Sequence, residues 1–511
     1  MSPTPAAPAD APPPAPESAS KQASKDVGIY TYSRLAASLL VLLTLAFAAR
    51  LYDKAGFAYI SALLLLYESA VALGSLGLAD SVFYLMGRHP ERASLVVRQT
   101  SFLLLVVAVP VIAVAVIIGS RIKQELNLGP ALPWLALTLL IELPTQPAVN
   151  QLLAVGRART ASALYVAFAT FRPFAVLAAA LTGIDITWMP VIMAGAGMSR
   201  LVAHLAIVKK VFPLPAGATW RSWLDGPTLR GIVLFAFPAG IAVLGGKLNP
   251  MIDKYVVQMV RGSADFVLYT AAAWEVPLVT LVPYAIGAVM QAHYVRLYTA
   301  GQHDELRTLW FHTVRKTTLI VVPLSFMLIA LARETIEVVA GAKYVDAAPL
   351  FQIFTLIMLH RVASYGAMLQ SIGETRSLLV GSVILLVSNL ILSYPFTLLF
   401  GFPGAAIATV CAVIPSLLFT LWRIAVALRT SIRGVMPWRF YAANLLLGAL
   451  VSLGTWLLVQ HLDLPAGARL GIGAVAHLGT FFVLGRLLRL IGDEDIAYLS
   501  QWLTLRMLRS K

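Results

Sequence analysis

Long apolar runs dominate this sequence and leave few folds open to it. A membrane-spanning helix needs about 20 mostly apolar residues, and about fourteen stretches satisfy that length. They cover residues 30–49, 57–86, 102–119, 132–153, 161–181, 188–208, 231–256, 266–292, 317–331, 348–369, 377–399, 403–428, 440–459 and 470–490. Charged residues make up 12% of the chain, against about 25% in average globular proteins. The sequence therefore predicts an all-α polytopic membrane protein.

The Lys and Arg residues between these runs predict the orientation of the chain. Every second connection, together with both terminal segments, is rich in Lys and Arg, whereas the intervening connections contain few. Cytoplasmic loops of membrane proteins carry such an excess. The bias alternates correctly only with an even number of spans, so both termini are expected to be cytoplasmic. Topology also accounts for the net charge of +15, and no nucleic-acid partner is expected.

Two pairs of short motifs indicate an internal repeat. Gly156-Arg157-Ala158-Arg159 precedes span five and Gly373-Glu374-Thr375-Arg376 precedes span eleven, while Tyr67-Glu68 and Trp274-Glu275 lie inside spans two and eight. Both pairs are separated by similar offsets along the chain. Two halves of six spans each begin on the same side, which predicts a parallel repeat about an axis along the membrane normal, with the substrate site between the halves.

The repeat divides the chain into predicted segments. They are a disordered Pro/Ala-rich cytoplasmic tail (1–26), a first six-helix bundle (27–210), an amphipathic cytoplasmic linker (211–228), a second six-helix bundle (229–428), two further helices (429–491) and an amphipathic interfacial helix (492–511).

Five basic residues inside the predicted spans are candidate substrate ligands. They are Lys247, Arg361, Arg172, Arg200 and Arg34. A charge at the bilayer centre costs at least about 2.5 kcal/mol on insertion scales, so charges there mark substrate or ion paths. Basic side chains suit an anionic substrate, and guanidinium groups bind phosphate in a bidentate manner. The alternative is that each base neutralises a buried carboxylate, or that Arg34 and Arg200 reach the cytoplasmic surface.

Acidic residues in the spans are candidates for ion coupling. They are Glu275, Glu68 and Glu142. A desolvated carboxylate can bind and release a proton, and the choice between H⁺, Na⁺ and a permanent counter-ion role stays open. Counting about 1.5 Å per residue from Gly231 puts Lys247 about 24 Å along span seven and Lys254 about 35 Å along it, beyond a core of about 30 Å. Asp253 and Lys254 are therefore predicted at the periplasmic mouth.

Five short stretches carry a resemblance to a known family: Ile252-Asp253-Lys254 and residues 262–269, 341–350, 373–376 and 401–409. At these places the sequence resembles the polysaccharide transporters (Wzx-type flippases) of the multidrug/oligosaccharidyl-lipid/polysaccharide exporter superfamily. The resemblance implies a V-shaped fold of two six-helix bundles plus two extra C-terminal helices. It also implies a flippase that moves undecaprenyl-diphosphate-linked oligosaccharide from the cytoplasmic to the periplasmic leaflet of a bacterial inner membrane, through a cationic cavity.

The resemblance sets the expected partners and leaves alternatives open. A monomer is expected in the lipid bilayer, with a polysaccharide polymerase or co-polymerase as a partner in a surface polysaccharide pathway. A lipid II flippase carries the same diphosphate, whereas a cation or drug antiporter should have an acidic cavity. A membrane polymerase or glycosyltransferase is disfavoured because the outer connections are short. The chain has no P-loop, nucleophile elbow or H-E-x-x-H motif, so a non-enzyme without metal or cofactor is predicted.

Overall fold

In a computed structural model, the chain is described at residues 17–75, 77–78, 82, 85–86, 90–122, 126–213, 225–274 and 276–495. This part is helical and lacks β-strands. The first half comprises α1 (Glu17–Leu51), α2 (Lys54–Ser75), α3 (Ala93–Arg121), α4 (Leu132–Glu142), α5 (Ala148–Ala154), α6 (Ala158–Thr182) and α7 (Met189–Val211).

The second half and the C-terminal region also consist of helices. They comprise α8 (Gly226–Arg261), α9 (Ser263–Ala272), α10 (Pro277–Thr299), α11 (His303–Ala330), α12 (Ala332–Val339), α13 (Ala348–Met358), α14 (Tyr365–Ser371), α15 (Thr375–Phe400), α16 (Phe402–Ala427), α17 (Trp438–Gln460) and α18 (Ala466–Leu487). Eleven helices within the described residues are long and apolar enough to cross a membrane. The predicted polytopic all-α fold is thereby confirmed.

Three predicted spans do not appear among those eleven. Span seven is the continuous 36-residue helix α8, which at about 1.5 Å per residue exceeds the thickness of a bilayer core. Spans four and eight are each divided into two shorter helices, α4 with α5 and α9 with α10. Span ten is also divided, into α13 and α14, with a short 3₁₀ turn (Leu359–Arg361) after α13.

The repeat is visible in the lengths of matching elements. α4 and α13 both have 11 residues, and α5 and α14 both have 7. The tight turns that follow α5 and α14 each contain a glycine with positive φ, 73° at Gly156 and 78° at Gly373. Glycine adopts this conformation without the steric cost that other residues bear. The two halves therefore share the division of spans four and ten into an 11-residue and a 7-residue helix.

The predicted terminal segments need one correction. Residues 17–26 were expected in a disordered tail, yet they form the first turns of α1. The proline-rich stretch ends at Pro16, so nothing after it prevents helical geometry. Most of the predicted linker (214–224) and most of the C-terminal amphipathic helix (496–511) lie outside the described residues. The other segment boundaries stay predictions.

The two halves meet at the end of α1, on the predicted periplasmic side. An Arg50 guanidinium nitrogen donates to the Glu337 carbonyl at 3.1 Å, and the Lys343 ammonium donates to the Arg50 carbonyl at 3.1 Å. The Phe57 and Tyr344 rings pack beside these bonds with centroids 5.7 Å apart. The halves are therefore held together at this end of the molecule.

The α15–α16 hairpin supplies a test of the close packing. A side chain at Gly404 would overlap the backbone carbonyl of Phe396, and backbone cannot move aside as a flexible side chain can. We expect Gly404→Ala to destabilise the protein by about 1–3 kcal/mol, the usual cost of overpacking. Gly454→Ala is the matched control, because no atom lies within 4 Å of its new Cβ. Unfolding of the purified variants in SDS measures both, and equal stability of the two would contradict the packing described.

Candidate functional site

A buried carboxylate lies at the break in span four. Glu142 is the last residue of α4 and its side chain is 1% exposed. The Tyr67 hydroxyl donates to one carboxylate oxygen, and Arg172 donates to the other at 2.6 Å. Arg200 lies 3.8 Å from the first oxygen and also donates to the side chain of Gln146 at 3.2 Å. Residues from α2, α4, α6 and α7 thus converge on one carboxylate.

Two guanidinium groups share this carboxylate and also contact aromatic rings. Arg172 lies 3.8 Å from the centre of the Tyr67 ring, and Arg200 lies 4.6 Å from the centre of the Phe168 ring. Cation–π contacts of this kind are worth about 2 kcal/mol or more when desolvated. The Nε atoms of both arginines are buried without a hydrogen-bond partner, beside a cavity of about 90 Å³. In this conformation, Arg172 is therefore the counter-ion of the buried Glu142 carboxylate.

A second buried carboxylate, Asp253, lies inside the second half. Its side chain accepts hydrogen bonds from Asn389 at 3.0 Å and from Ser393 at 2.9 Å, and the Thr409 hydroxyl also donates to it. The residue is 1% exposed, so its side chain is enclosed within the second half, and its predicted position at the periplasmic mouth stays a prediction. Successive residues of a helix point about 100° apart, and this rotation directs Asp253 towards α15 and α16.

The three hydrogen-bond partners of Asp253 are neutral and oxygen-bearing, and the Lys254 ammonium next along α8 also interacts with it electrostatically. Asn389 and Ser393 lie four residues apart on α15 and therefore share one face of that helix. Carboxylate, amide and hydroxyl oxygens are ligands for hard cations, and the same carboxylate could instead bind a proton. Within the described residues, no three His, Cys, Asp or Glu side chains are grouped so as to hold a metal ion. The sequence indicated Asp253 as a site residue. Its three neutral hydrogen-bond partners lie far along the chain and were not predicted.

Neighbouring residues of α8 face the first half instead. Lys254 is half-buried and lies close enough to Glu68 of α2 for an electrostatic interaction. The Tyr255 hydroxyl donates to the Ser69 hydroxyl of α2 at 3.0 Å. Glu68 itself is exposed. The two residues of the Tyr67-Glu68 motif in span two therefore make different contacts. Tyr67 donates to Glu142, whereas Glu68 faces Lys254.

Lys247 and Arg361 are the predicted substrate ligands that belong to the second half. Lys247 is exposed, one helical turn before Pro250 on α8. Arg361 is half-buried at the break in span ten and lines a cavity of about 260 Å³. His360, Ser364, Tyr365, Gln291 and Gln370 line the same cavity. No proline occurs between α13 and α14, so the sequence did not predict this break.

Two predicted site residues lie apart from these groups. Arg34 is exposed on α1, with its guanidinium 5.9 Å from the centre of the Tyr30 ring and 5.8 Å from that of Tyr165. It therefore stays beside aromatic side chains of the first half. Glu275 lies outside the described residues, and its predicted coupling role stays a prediction.

Helix breaks satisfy their backbone groups with side chains. Thr145 donates to the carbonyl of Glu142 at 2.7 Å. At the break in span ten, Tyr441 donates to the carbonyl of Leu359 at 2.9 Å and Tyr365 donates to that of His360 at 3.0 Å. Non-helical backbone at membrane depth is tolerated where such partners exist. In secondary transporters, broken helices typically form the substrate and ion sites. The breaks in spans four and ten of this chain both carry charged side chains.

Comparison with known proteins identifies the fold. No protein-family profile and no curated protein sequence matches the chain. Among solved structures, the lipid II flippase MurJ in an inward closed conformation has a TM-score of 0.65 at 16% identity, covering 90% of this chain and 99% of MurJ. A multidrug resistance MATE family transporter of the MOP superfamily in an inward-facing conformation has a TM-score of 0.61 at 16% identity, covering 77% and 96%.

A third structure is related in the same way. A MOP superfamily transporter from Pyrococcus furiosus, described as having a binding pocket of reverse polarity, has a TM-score of 0.54 at 15% identity and covers 80% of this chain and 97% of its own. The likeness is to transporters and a flippase, which agrees with the prediction of a non-enzyme. The protein is a multi-pass membrane protein with the fold of MOP-superfamily transporters.

Proposed function

We propose that this protein is a flippase for undecaprenyl-diphosphate-linked oligosaccharide, moving a surface polysaccharide repeat unit from the cytoplasmic to the periplasmic leaflet of a bacterial inner membrane. Alternating access between the two halves would carry the glycan and diphosphate, while the lipid tail stays in the bilayer. Both termini would be cytoplasmic, and the protein would act as a monomer beside a polysaccharide polymerase or co-polymerase.

The position of the basic side chains carries this proposal. Lys247 is exposed, and Arg361 lines the 260 Å³ cavity, whereas the buried carboxylates Glu142 and Asp253 are enclosed by their own bundles. An accessible interior that is basic suits a diphosphate and disfavours a cationic drug. The MOP-superfamily fold supports transport, because rocking of two halves around a central site is the motion of such repeat proteins.

Lipid II is a second candidate substrate, favoured by one observation. The MurJ structure is matched over 99% of its length and covers 90% of this chain. Lipid II contains the same lipid diphosphate, so the basic residues do not discriminate between the two. Essentiality does, since loss of a lipid II flippase stops cell-wall synthesis, whereas loss of a surface polysaccharide flippase leaves viable cells without the polymer.

Asp253 is the proposed ion-coupling residue, in preference to Glu68 and Glu142. Glu142 has a guanidinium partner at 2.6 Å, which already balances its charge, and Glu68 is exposed. Asp253 accepts hydrogen bonds from neutral side chains, with no guanidinium group among them, so binding of H⁺ or Na⁺ would neutralise a buried charge, with Lys254 the nearby base that competes for it. Opening of the predicted periplasmic side would also have to break the Arg50 and Lys343 bonds between the halves.

Transport is tested with the purified protein in proteoliposomes that carry fluorescent undecaprenyl-diphosphate-linked sugar. We expect Arg361→Ala or Lys247→Ala to lower the flipping rate at least about tenfold, because each removes about 1.4 kcal/mol or more of phosphate binding. Arg261→Ala is the matched control, because this exposed base pairs with Asp265 four residues away on the chain. Wild-type rates in both cavity variants would contradict the role of these bases, and no flipping by the wild-type protein would overturn the proposed function.

A further inference from the structure

The cavity at the break in span ten contains an amide pair beside its basic residue. Gln291 of α10 donates from its side-chain nitrogen to the side-chain oxygen of Gln370 of α14 at 3.2 Å. Each glutamine amide offers two N–H donors and one oxygen acceptor, and the mutual bond uses one donor and one lone pair. The pair therefore keeps donors and acceptors for a ligand, next to the Arg361 guanidinium in the same cavity.

This combination of groups suits a sugar attached to a phosphate. Hydroxyl and acetamido groups of a sugar both donate and accept hydrogen bonds, as the amide side chains and the Ser364 hydroxyl do. A guanidinium group binds phosphate but has no acceptor for a hydroxyl. The lining thus combines one group for phosphate with several for an uncharged polar ring.

The size of the cavity restricts how much of a ligand it can hold. Its volume is about 260 Å³, below the range of about 300–1,000 Å³ for pockets that enclose drug-sized molecules. A single sugar ring fits this space, whereas a whole oligosaccharide does not. The sugar next to the diphosphate is the one that would lie within reach of Arg361.

The cavity also lies at the end of the molecule where the substrate would arrive. Gln370 is the last residue but one of α14 and precedes the Gly373 turn. The distribution of Lys and Arg puts that turn on the cytoplasmic side. Lipid-linked sugars are assembled on that side in the proposed function, so this cavity would meet the headgroup before the periplasmic closure opens.

We propose that Gln291 and Gln370 form a sugar-recognition site, in which the first sugar of a diphosphate-linked lipid binds the amide pair while Arg361 binds its phosphate. This inference rests on the proposed function and adds to it the residues that distinguish one sugar from another. Arg361 then contributes equally to every diphosphate lipid, and the amide pair contributes only when a sugar is present.

Native mass spectrometry of the purified full-length protein tests this division. The probes are undecaprenyl diphosphate and the same lipid carrying N-acetylglucosamine, N-acetylgalactosamine or glucose. The wild-type protein should bind at least one sugar-bearing lipid about tenfold more tightly than the bare lipid, roughly the effect of one or two net hydrogen bonds. Gln370→Ala and Gln291→Ala should remove that preference and retain affinity for the bare lipid. Arg361→Gln should weaken all lipids by the same factor.

Two further variants keep the result interpretable. Gln370→Asn retains the amide on a shorter side chain and should give an intermediate preference, while Gln302→Ala removes an exposed glutamine outside the cavity and should leave the preference unchanged. A wild-type preference in folded Gln370→Ala and Gln291→Ala proteins would overturn the sugar site, as would the absence of any sugar preference in the wild-type protein. Failure of every diphosphate lipid to bind would instead overturn the proposed function.

Discussion

Replacing Glu142 by glutamine should destabilise the protein by about 3–5 kcal/mol, the cost of removing one partner from a buried ion pair. The Arg172 and Arg200 side chains are only 16% and 15% exposed, so water from the adjoining cavity can replace the lost carboxylate only in part. Glutamine preserves the volume of the side chain, and the change therefore isolates the charge. Unfolding of the purified protein in SDS provides the measurement.

Two comparison variants define the result for Glu142. Glu68→Gln changes an exposed carboxylate on α2, and we expect its effect to stay within about 0.5 kcal/mol. The double variant Glu142→Gln with Arg172→Gln should recover part of the lost stability, because it also removes one uncompensated cation. A Glu142→Gln protein as stable as the wild type would show that the arginines do not depend on this carboxylate.

Replacing Asp253 by asparagine should abolish the dependence of transport on its coupling ion. Asparagine keeps the shape and can still bond to Ser393 and Thr409, but it removes the negative charge on which cation binding depends. We expect ion-stimulated transport to fall at least about tenfold, equivalent to about 1.4 kcal/mol of cation affinity. Asp265→Asn is the matched control, since that residue pairs with Arg261 at 2.8 Å within four residues of chain.

The proteoliposome assay separates the two ions. Transport that rises with Na⁺ at constant pH indicates a sodium site, whereas transport driven by a pH gradient in Na⁺-free buffer indicates proton coupling. Either response should disappear in Asp253→Asn and persist in Asp265→Asn. An unchanged ion response in Asp253→Asn would exclude this carboxylate as the coupling residue.

Hydropathy was enough to predict the spans, because the bilayer requires about 20 apolar residues from every crossing helix. The internal repeat was also readable, since the glycine turns at Gly156 and Gly373 recur in sequence as they do in structure. The break in span ten was not readable. It contains no proline, and its carbonyls are satisfied by tyrosines whose positions depend on tertiary packing.

Partners of the charged residues were harder to predict than the residues themselves. Arg172 and Glu142 come from different helices, and their sequence separation of 30 residues gives no information about which bases face which acids. The direction of the Asp253 side chain was not predicted, for a different reason. Depth along a helix can be counted from its start, but the side-chain direction rotates by about 100° per residue. Neighbours such as Asp253 and Lys254 can therefore serve different halves of the molecule.

The corresponding breaks in spans four and ten differ in what occupies them. In the first half, Glu142 and its arginines cross-link α2, α4, α6 and α7 through the break, while in the second half the corresponding break leaves the cavity beside Arg361 open. In a duplicated fold, one copy of a broken span can thus be cross-linked by side chains while the other copy keeps space for a ligand. Substitutions that alter substrate choice should accordingly accumulate around span ten, whereas the equivalent positions of span four should tolerate little change in any relative that keeps the Glu142 cross-link.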